Sequence, residues 1–80
     1  MPQVTFQGRA VRLIANTEPS LGVGDATEIF DDPATRQRSE GLAVIREIDQ
    51  RRSDAEFIEA RIEFVDEPGV YYSRRIYRQA

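Results

Sequence analysis

A chain of 80 residues with no histidine, cysteine, lysine or tryptophan has few ways to do chemistry. Cysteine nucleophiles, imidazole bases, Schiff-base lysines and thiolate or imidazole metal sites are all closed to it. Carboxylate, hydroxyl and guanidinium groups remain. Asp25, Glu28, Asp31 and Asp32 fall close together, and oxygen ligands at that density suit Ca²⁺ or Mg²⁺. Their spacing fits no EF-hand loop and no glycine stands at the sharp-turn position, so solvated acids flanking a strand are the better account. Glu59 and Glu63 share one strand face two residue pairs apart, near enough for paired-carboxylate chemistry. Arg61 stands between them, and a surface charge ladder explains all three more simply. Ser73 has no base within obvious reach in the sequence. The expectation is a non-enzyme, with no cofactor and no metal.

The most site-like constellation lies near the end of the chain. Tyr71, Ser73, Arg75 and Tyr77 alternate and would form the outward face of a strand if Tyr72 is buried. Aromatic rings interleaved with guanidinium make a platform for a peptide, a base or a partner protein. Arg74 and Arg78 adjoin that face. Arg36 and Arg38 lie in residues 31–41, a polar stretch without periodicity that reads as a long loop, of the kind that is often functional or else simply mobile.

The elements that would position these groups follow from periodicity. Residues 55–77 are the organising stretch. Ile58, Ala60, Ile62 and Phe64 point one way and Glu59, Arg61 and Glu63 the other, the period of a strand with one buried face. Ser53 and Glu56 fit a helix capping box, but the apolar residues that follow cover half a helical wheel, and the strand reading is cleaner. Residues 66–69 end the strand at Pro68-Gly69, and residues 70–77 are β-prone again. A three-residue connection over 67–69 is favoured, setting Phe64 opposite Tyr72 and Ala60 opposite Ile76. The alternative type II turn pairs Glu63 with Arg74 but leaves Phe64 facing Ser73, and apolar burial outweighs one exposed ion pair.

Upstream, Val4 and Phe6 differ in parity from Val11, Leu13 and Ala15. A two-residue turn at Gln7-Gly8 resolves this by pairing Phe6 with Arg9 and Val4 with Val11. Residues 16–25 read as a loop, 26–30 as a short strand, 42–49 as a strand entering the core, and 50–54 as a turn. The expected core is Val4, Phe6, Val11, Leu13, Ile29, Leu42, Val44, Ile48, Ile58, Ala60, Ile62, Phe64, Val70, Tyr72 and Ile76.

Composition narrows the partners. The net charge is −3, against the basic excess of a dedicated nucleic-acid binder. All 11 basic residues are arginine, which suits bidentate recognition, although GC-rich codon usage is the simpler source. No apolar run reaches membrane-span length and no signal-peptide pattern opens the chain, so residues 1–80 are expected to form one soluble, cytoplasmic domain. Small acidic chains of this kind are common among phage and mobile-element products, the origin expected here. Exposed Phe57, Val65, Tyr71 and Tyr77 on unpaired strands predict self-association into a homo-oligomer.

Five or so short strands without a helix must pair edge to edge or curl to bury one face. The expected fold is all-β: a small antiparallel five-stranded barrel or rolled sheet. The layout over residues 21–77 resembles Src homology 3-like barrels of the Tudor and KOW kind. Gly22-Val23-Gly24-Asp25 leads into a short strand, Gly41 opens the next, and Pro68-Gly69 follows the long strand ending at Phe64-Val65. It also resembles plasmid-encoded type II dihydrofolate reductase, whose catalytic strand carries Val-Gln-Ile-Tyr shortly after its Pro-Gly. Here that run is Val70-Tyr71-Tyr72-Ser73, so the catalytic motif is absent. The leading functional expectation is a binding module for a protein partner. The alternative is nucleic-acid binding, with Arg74, Arg75 and Arg78 on phosphates and tyrosines on bases.

Overall fold

The computed structural model describes residues 2–79. Six strands form two antiparallel sheets, one more strand than expected. β1 (Gln3–Phe6) and β2 (Arg9–Arg12) make a hairpin of their own. β3 (Ala26–Asp32), β4 (Gln37–Asp49), β5 (Phe57–Phe64) and β6 (Tyr71–Tyr77) make a four-stranded sheet in sequence order, which curls into a half-barrel.

The first hairpin turns where the parity argument requires. Val4 pairs with Val11 and Phe6 with Arg9, and Gln7 and Gly8 take φ of 50° and 77°. Both turn residues are left-handed, the conformation whose twist matches the flanking strands. Phe6 is buried against Ala26 and Val44, with Val4, Val11, Leu13 and Val65 packed around them. Ala26 and Val44 face each other across β3 and β4 on the outer side of the sheet, so this hairpin caps that side. Ala15 does not join it and stays exposed.

The inner side of the curl holds the main core: Leu21, Ile29, Ala43, Ile45, Ile58, Ala60, Ile62 and Ile76, with Ile14, Ile48, Phe64 and Tyr72 against it. The alternation of β5 is as expected for Ile58, Ala60 and Ile62. Leu21 descends from the 16–25 loop, and Ala43 and Ile45 are fully buried, three contributors the periodicity did not single out. Val70, expected in the core, is 42% exposed, because it lies in the connection rather than in β6.

Residues 31–41 are not a long loop. β3 runs on to Asp32 and β4 starts at Gln37, with Asp32 opposite Gln37 and Phe30 opposite Ser39. Only residues 33–36 are left for the turn. This end of the hairpin lies beyond the buried core, so its strands carry no apolar alternation and are held by backbone pairing. The register slips between Ile29 and Phe30 opposite Gly41, whose φ is 110°. That bulge bends β4 and lets one 13-residue strand pair first with β3 and then with β5.

The hairpin over β5 and β6 keeps the expected faces but not the expected register. Ile62 lies opposite Tyr72, Ala60 opposite Arg74 and Ile58 opposite Ile76, a shift of two residues from the three-residue connection. A shift of two preserves which side each residue faces. The connection is longer, running from Val65 to Val70 between the ends of β5 and β6.

One ion pair fastens the 16–25 loop to β2. Arg12 donates from Nε and Nη2 to the two oxygens of Asp25 at 3.0 and 2.8 Å, and from Nη2 to the Ser20 carbonyl at 3.1 Å. The Gly22 amide donates to the same carboxylate at 3.0 Å. Arg12 first, then the Gly22 amide, hold the Asp25 carboxyl below its ordinary value against a partial desolvation. A carboxyl whose folded value is depressed contributes stability above its unfolded value of about 3.9, and loses it as pH falls through the folded value. The melting temperature is therefore expected to drop steeply below about pH 4. Asp25→Asn should melt several degrees lower at neutral pH and show a shallower acid decline, checked by thermal denaturation across pH. An unchanged acid profile in Asp25→Asn would refute the role given to this pair.

Candidate functional site

Alternation along β6 sends Tyr71, Ser73, Arg75 and Tyr77 to the outer side, as the sequence predicts. The register sets them against β5 as Tyr71–Glu63, Ser73–Arg61, Arg75–Glu59 and Tyr77–Phe57. Tyr71, Ser73 and Arg75 are exposed, Tyr71 at 52%, and Tyr77 is half-buried. Arg75 Nε donates to Glu59 Oε1 at 2.7 Å, and its guanidinium lies 4.2 Å from the centroid of the Phe57 ring. Phe57 in turn packs on Tyr77 with ring centroids 5.4 Å apart. Glu59, Arg75, Phe57 and Tyr77 thus form one prearranged cluster, with Tyr71 standing free at the other end of the strand. The sequence places Phe57 on exposed apolar surface. It is the ring on which Arg75 rests, and only the cross-strand register could reveal that.

The other predicted arginines do not join this face. Arg74 points to the inner side, where Nε and Nη2 hold the two oxygens of Glu40 at 2.8 and 3.2 Å and the guanidinium lies 5.2 Å from the Tyr72 ring centroid. Glu40 strengthens its hold on the proton, so the Arg74 value is raised. Arg36 sits in the β3–β4 turn with φ of 55° and donates from Nη2 to the carbonyls of Tyr77 at 2.9 Å and Gln79 at 2.7 Å. Arg78 donates to the Pro19 carbonyl at 2.8 Å, and Arg38 meets Asp31 at 3.1 Å on an exposed edge. Arg36 and Arg74 therefore span the seam of the half-barrel, where β6 curls round towards the β3–β4 hairpin without a backbone ladder. Beside the seam, Glu40, Leu42, Phe64, Glu67, Tyr72 and Arg74 line a hollow of about 400 Å³. Tyr72 donates to Glu67 at 2.6 Å across it, which raises the phenol above its ordinary value.

No protein-family model, curated protein or solved structure matches the chain. The geometry alone must carry the functional reading.

The carboxylates divide by environment. Asp25 belongs to Arg12, Asp31 to Arg38 and Glu59 to Arg75. Among the described residues no three carboxylates converge as a metal cage. Glu63 does not stand on a solvated ladder. It is 2% exposed, accepts from the Gly69 amide at 2.7 Å and lies 3.6 Å from Arg46. Its role is to cap the turn from within, so Glu59 and Glu63 do not form a working pair. Val65, expected on the surface, packs against the cluster beneath the N-terminal hairpin. A groove of about 550 Å³ also opens between the N-terminal segment and β3, with Leu13, Ile14, Phe30 and Leu42 as its apolar lining. No helix of the described residues is long and apolar enough to cross a membrane.

Proposed function

We propose that this protein is a non-catalytic binding module that offers the outer face of β5 and β6 to a protein partner. The observation that carries the reading is the state of its arginines. Arg12, Arg38, Arg46, Arg52, Arg74 and Arg75 face carboxylates within the chain, and Arg36 and Arg78 are spent on backbone carbonyls. Among the described residues, Arg9, Arg51 and Arg61 alone are left without such a partner. A phosphate-binding surface needs several guanidinium groups facing solvent together, and neutralised ones release few counterions. An exposed tyrosine beside a fixed Phe57–Arg75–Tyr77 cluster is instead the composition of a protein-binding hot spot. Rings already held in place lose little freedom on binding. The half-barrel is read here as a member of the small Src homology 3-like barrels, in which a curled sheet supplies a rigid face and the function varies with the residues on it.

The test starts from a partner recovered by affinity capture and then titrated in pure form. Tyr71→Asp should weaken that binding at least tenfold without altering the melting temperature, since Tyr71 covers no core. The affinity should change little between low and moderate salt. A shift of DNA or RNA at low salt that vanishes at moderate salt and in Arg61→Ala would overturn the reading in favour of nucleic acid. A partner whose binding ignores Tyr71→Asp would place the site elsewhere.

A further inference from the structure

β6 is the last strand of its sheet, and its outer edge has a particular length and centre. The Arg78 amide donates to the Glu56 carbonyl at 2.8 Å, which sets the phase of the β5–β6 ladder. Ile76, Arg74 and Tyr72 then exchange their hydrogen bonds with β5. The backbone groups of Tyr71, Ser73, Arg75 and Tyr77 point away from the sheet. At the far end, the Tyr77 carbonyl is taken by Arg36. At the near end, the turn at Gly69 begins, with its amide taken by Glu63. The open edge is therefore residues 71–75, and its midpoint is Ser73.

We infer that this edge pairs with the same edge of a second copy of the chain, antiparallel about a two-fold axis through Ser73. The side chains favour that occupant and that register. Centred on Ser73, Tyr71 faces the partner's Arg75 and Tyr72 faces the partner's Arg74, each twice by symmetry. Every facing pair is then an aromatic ring with a guanidinium, or serine with serine. The same contact already occurs inside the chain, where Arg74 lies over Tyr72 and Arg75 over Phe57. Moving the axis to residue 74 puts Arg74 against the partner's Arg74, a like-charge pair that sheets avoid. Moving it to Tyr72 leaves Arg74 opposite Val70 and Arg75 opposite Gly69. Only the Ser73 axis uses all the side chains of the edge. Backbone phase agrees, because Tyr71, Ser73 and Arg75 all present their N–H and C=O groups outward and pair with one another in this register. The result is an eight-stranded sheet that runs through both copies and joins their outer faces. The contact is short, so the dimer forms in a concentration-dependent equilibrium rather than as an obligate assembly.

This inference rests on the backbone edge of β6 and does not depend on the protein-binding reading, although Tyr71 and Arg75 of that face meet across the pair. The test uses the absence of native cysteine. In a hydrogen-bonded antiparallel pair the two Cα atoms are about 5.5 Å apart, within disulfide range. Ser73→Cys should form a covalent dimer rapidly under mild oxidation. Arg61→Cys, on the neighbouring strand and the same face, should not. Arg74→Cys should lag well behind Ser73→Cys. Sedimentation of the unmodified protein should show a monomer–dimer equilibrium. Ser73→Pro should abolish that equilibrium while leaving the fold intact, because the amide it removes points away from β5. Faster crosslinking by Arg74→Cys would overturn the register. Equal crosslinking by Arg61→Cys, or a dimer that survives Ser73→Pro, would overturn the edge itself, as would a monomer at all concentrations.

Discussion

Ile62→Ala is expected to destabilise the protein by about 3–4 kcal/mol, the range for removing a fully buried branched side chain from a core that cannot close over the gap. Ile62 has no exposed surface and lies between Ile45 on β4 and Tyr72 on β6. Those strands are fixed to β5 by their own ladders, so neither can shift to fill the space. A domain of this size holds roughly 4–12 kcal/mol in all, so the variant sits close to the limit of folding. Urea denaturation with an unchanged slope is the measurement. Phe64→Ala, by contrast, should cost roughly half as much, since Phe64 is only half-buried at the rim and leans edge-on against Tyr72 at 5.6 Å. The sequence alone places Phe64 in the core opposite Tyr72. If Phe64→Ala proves the costlier of the two, the core is centred at the hairpin end and the register of β5 and β6 is wrong.

The second large effect belongs to a charged residue. Glu63→Ala should cost roughly 2–3 kcal/mol, because it strips the acceptor from the Gly69 amide and opens a hole beneath the turn. Glu63→Gln keeps the shape and one carbonyl acceptor, and the Arg46 it ceases to attract is half in solvent, so its loss should be much smaller. Glu59→Ala serves as the reference, since Glu59 makes its ion pair with Arg75 at the surface. Urea melts of the three variants rank the effects. A Glu63→Ala loss no larger than that of Glu59→Ala would show that the turn does not depend on its buried cap.

These two positions also mark where the sequence is legible and where it is not. Alternation at Ile58, Ala60 and Ile62 identifies the strand and its buried side, because the period of two reports burial directly. The parity break between Phe6 and Val11 locates the first turn, because only a reversal at Gln7-Gly8 puts both sets on one side. Register is another matter. A slip of two residues leaves every face unchanged, so no pattern of polarity distinguishes Phe64–Tyr72 from Ile62–Tyr72. What accompanies it is tertiary: Glu63 accepts from the Gly69 amide and holds the longer connection over itself. Glu63 looks like its neighbours on the same side, half-buried Glu59 and exposed Arg61, and nothing in its type or spacing betrays that the chain folds over it. Residues 37–41 lack any apolar alternation because they extend past the core, so a strand there is visible only through its partner β3. The outer face of β6, Arg75 included, could be read from alternation, whereas the partners of the other arginines could not. Alternation sends Arg75 to the face and Arg74 to the inner side, but the contacts of Arg74 with Glu40 and of Arg36 with the Tyr77 and Gln79 carbonyls appear only in the folded chain.

The seam has a consequence for how the molecule breathes. Arg36 and Arg74 join β6 to the β3–β4 hairpin through side chains alone. Parting it costs a few side-chain hydrogen bonds and no rung of any ladder. The half-barrel can therefore loosen at that line while its sheet stays whole, an opening confined to the rim because the main core is packed inside the curl. Amides of the 34–36 turn, which lie outside the β3–β4 ladder, should exchange with solvent deuterium by this route. Those at the centre of β4 and β5, between Ile45 and Ile62, should wait for the entire domain to open.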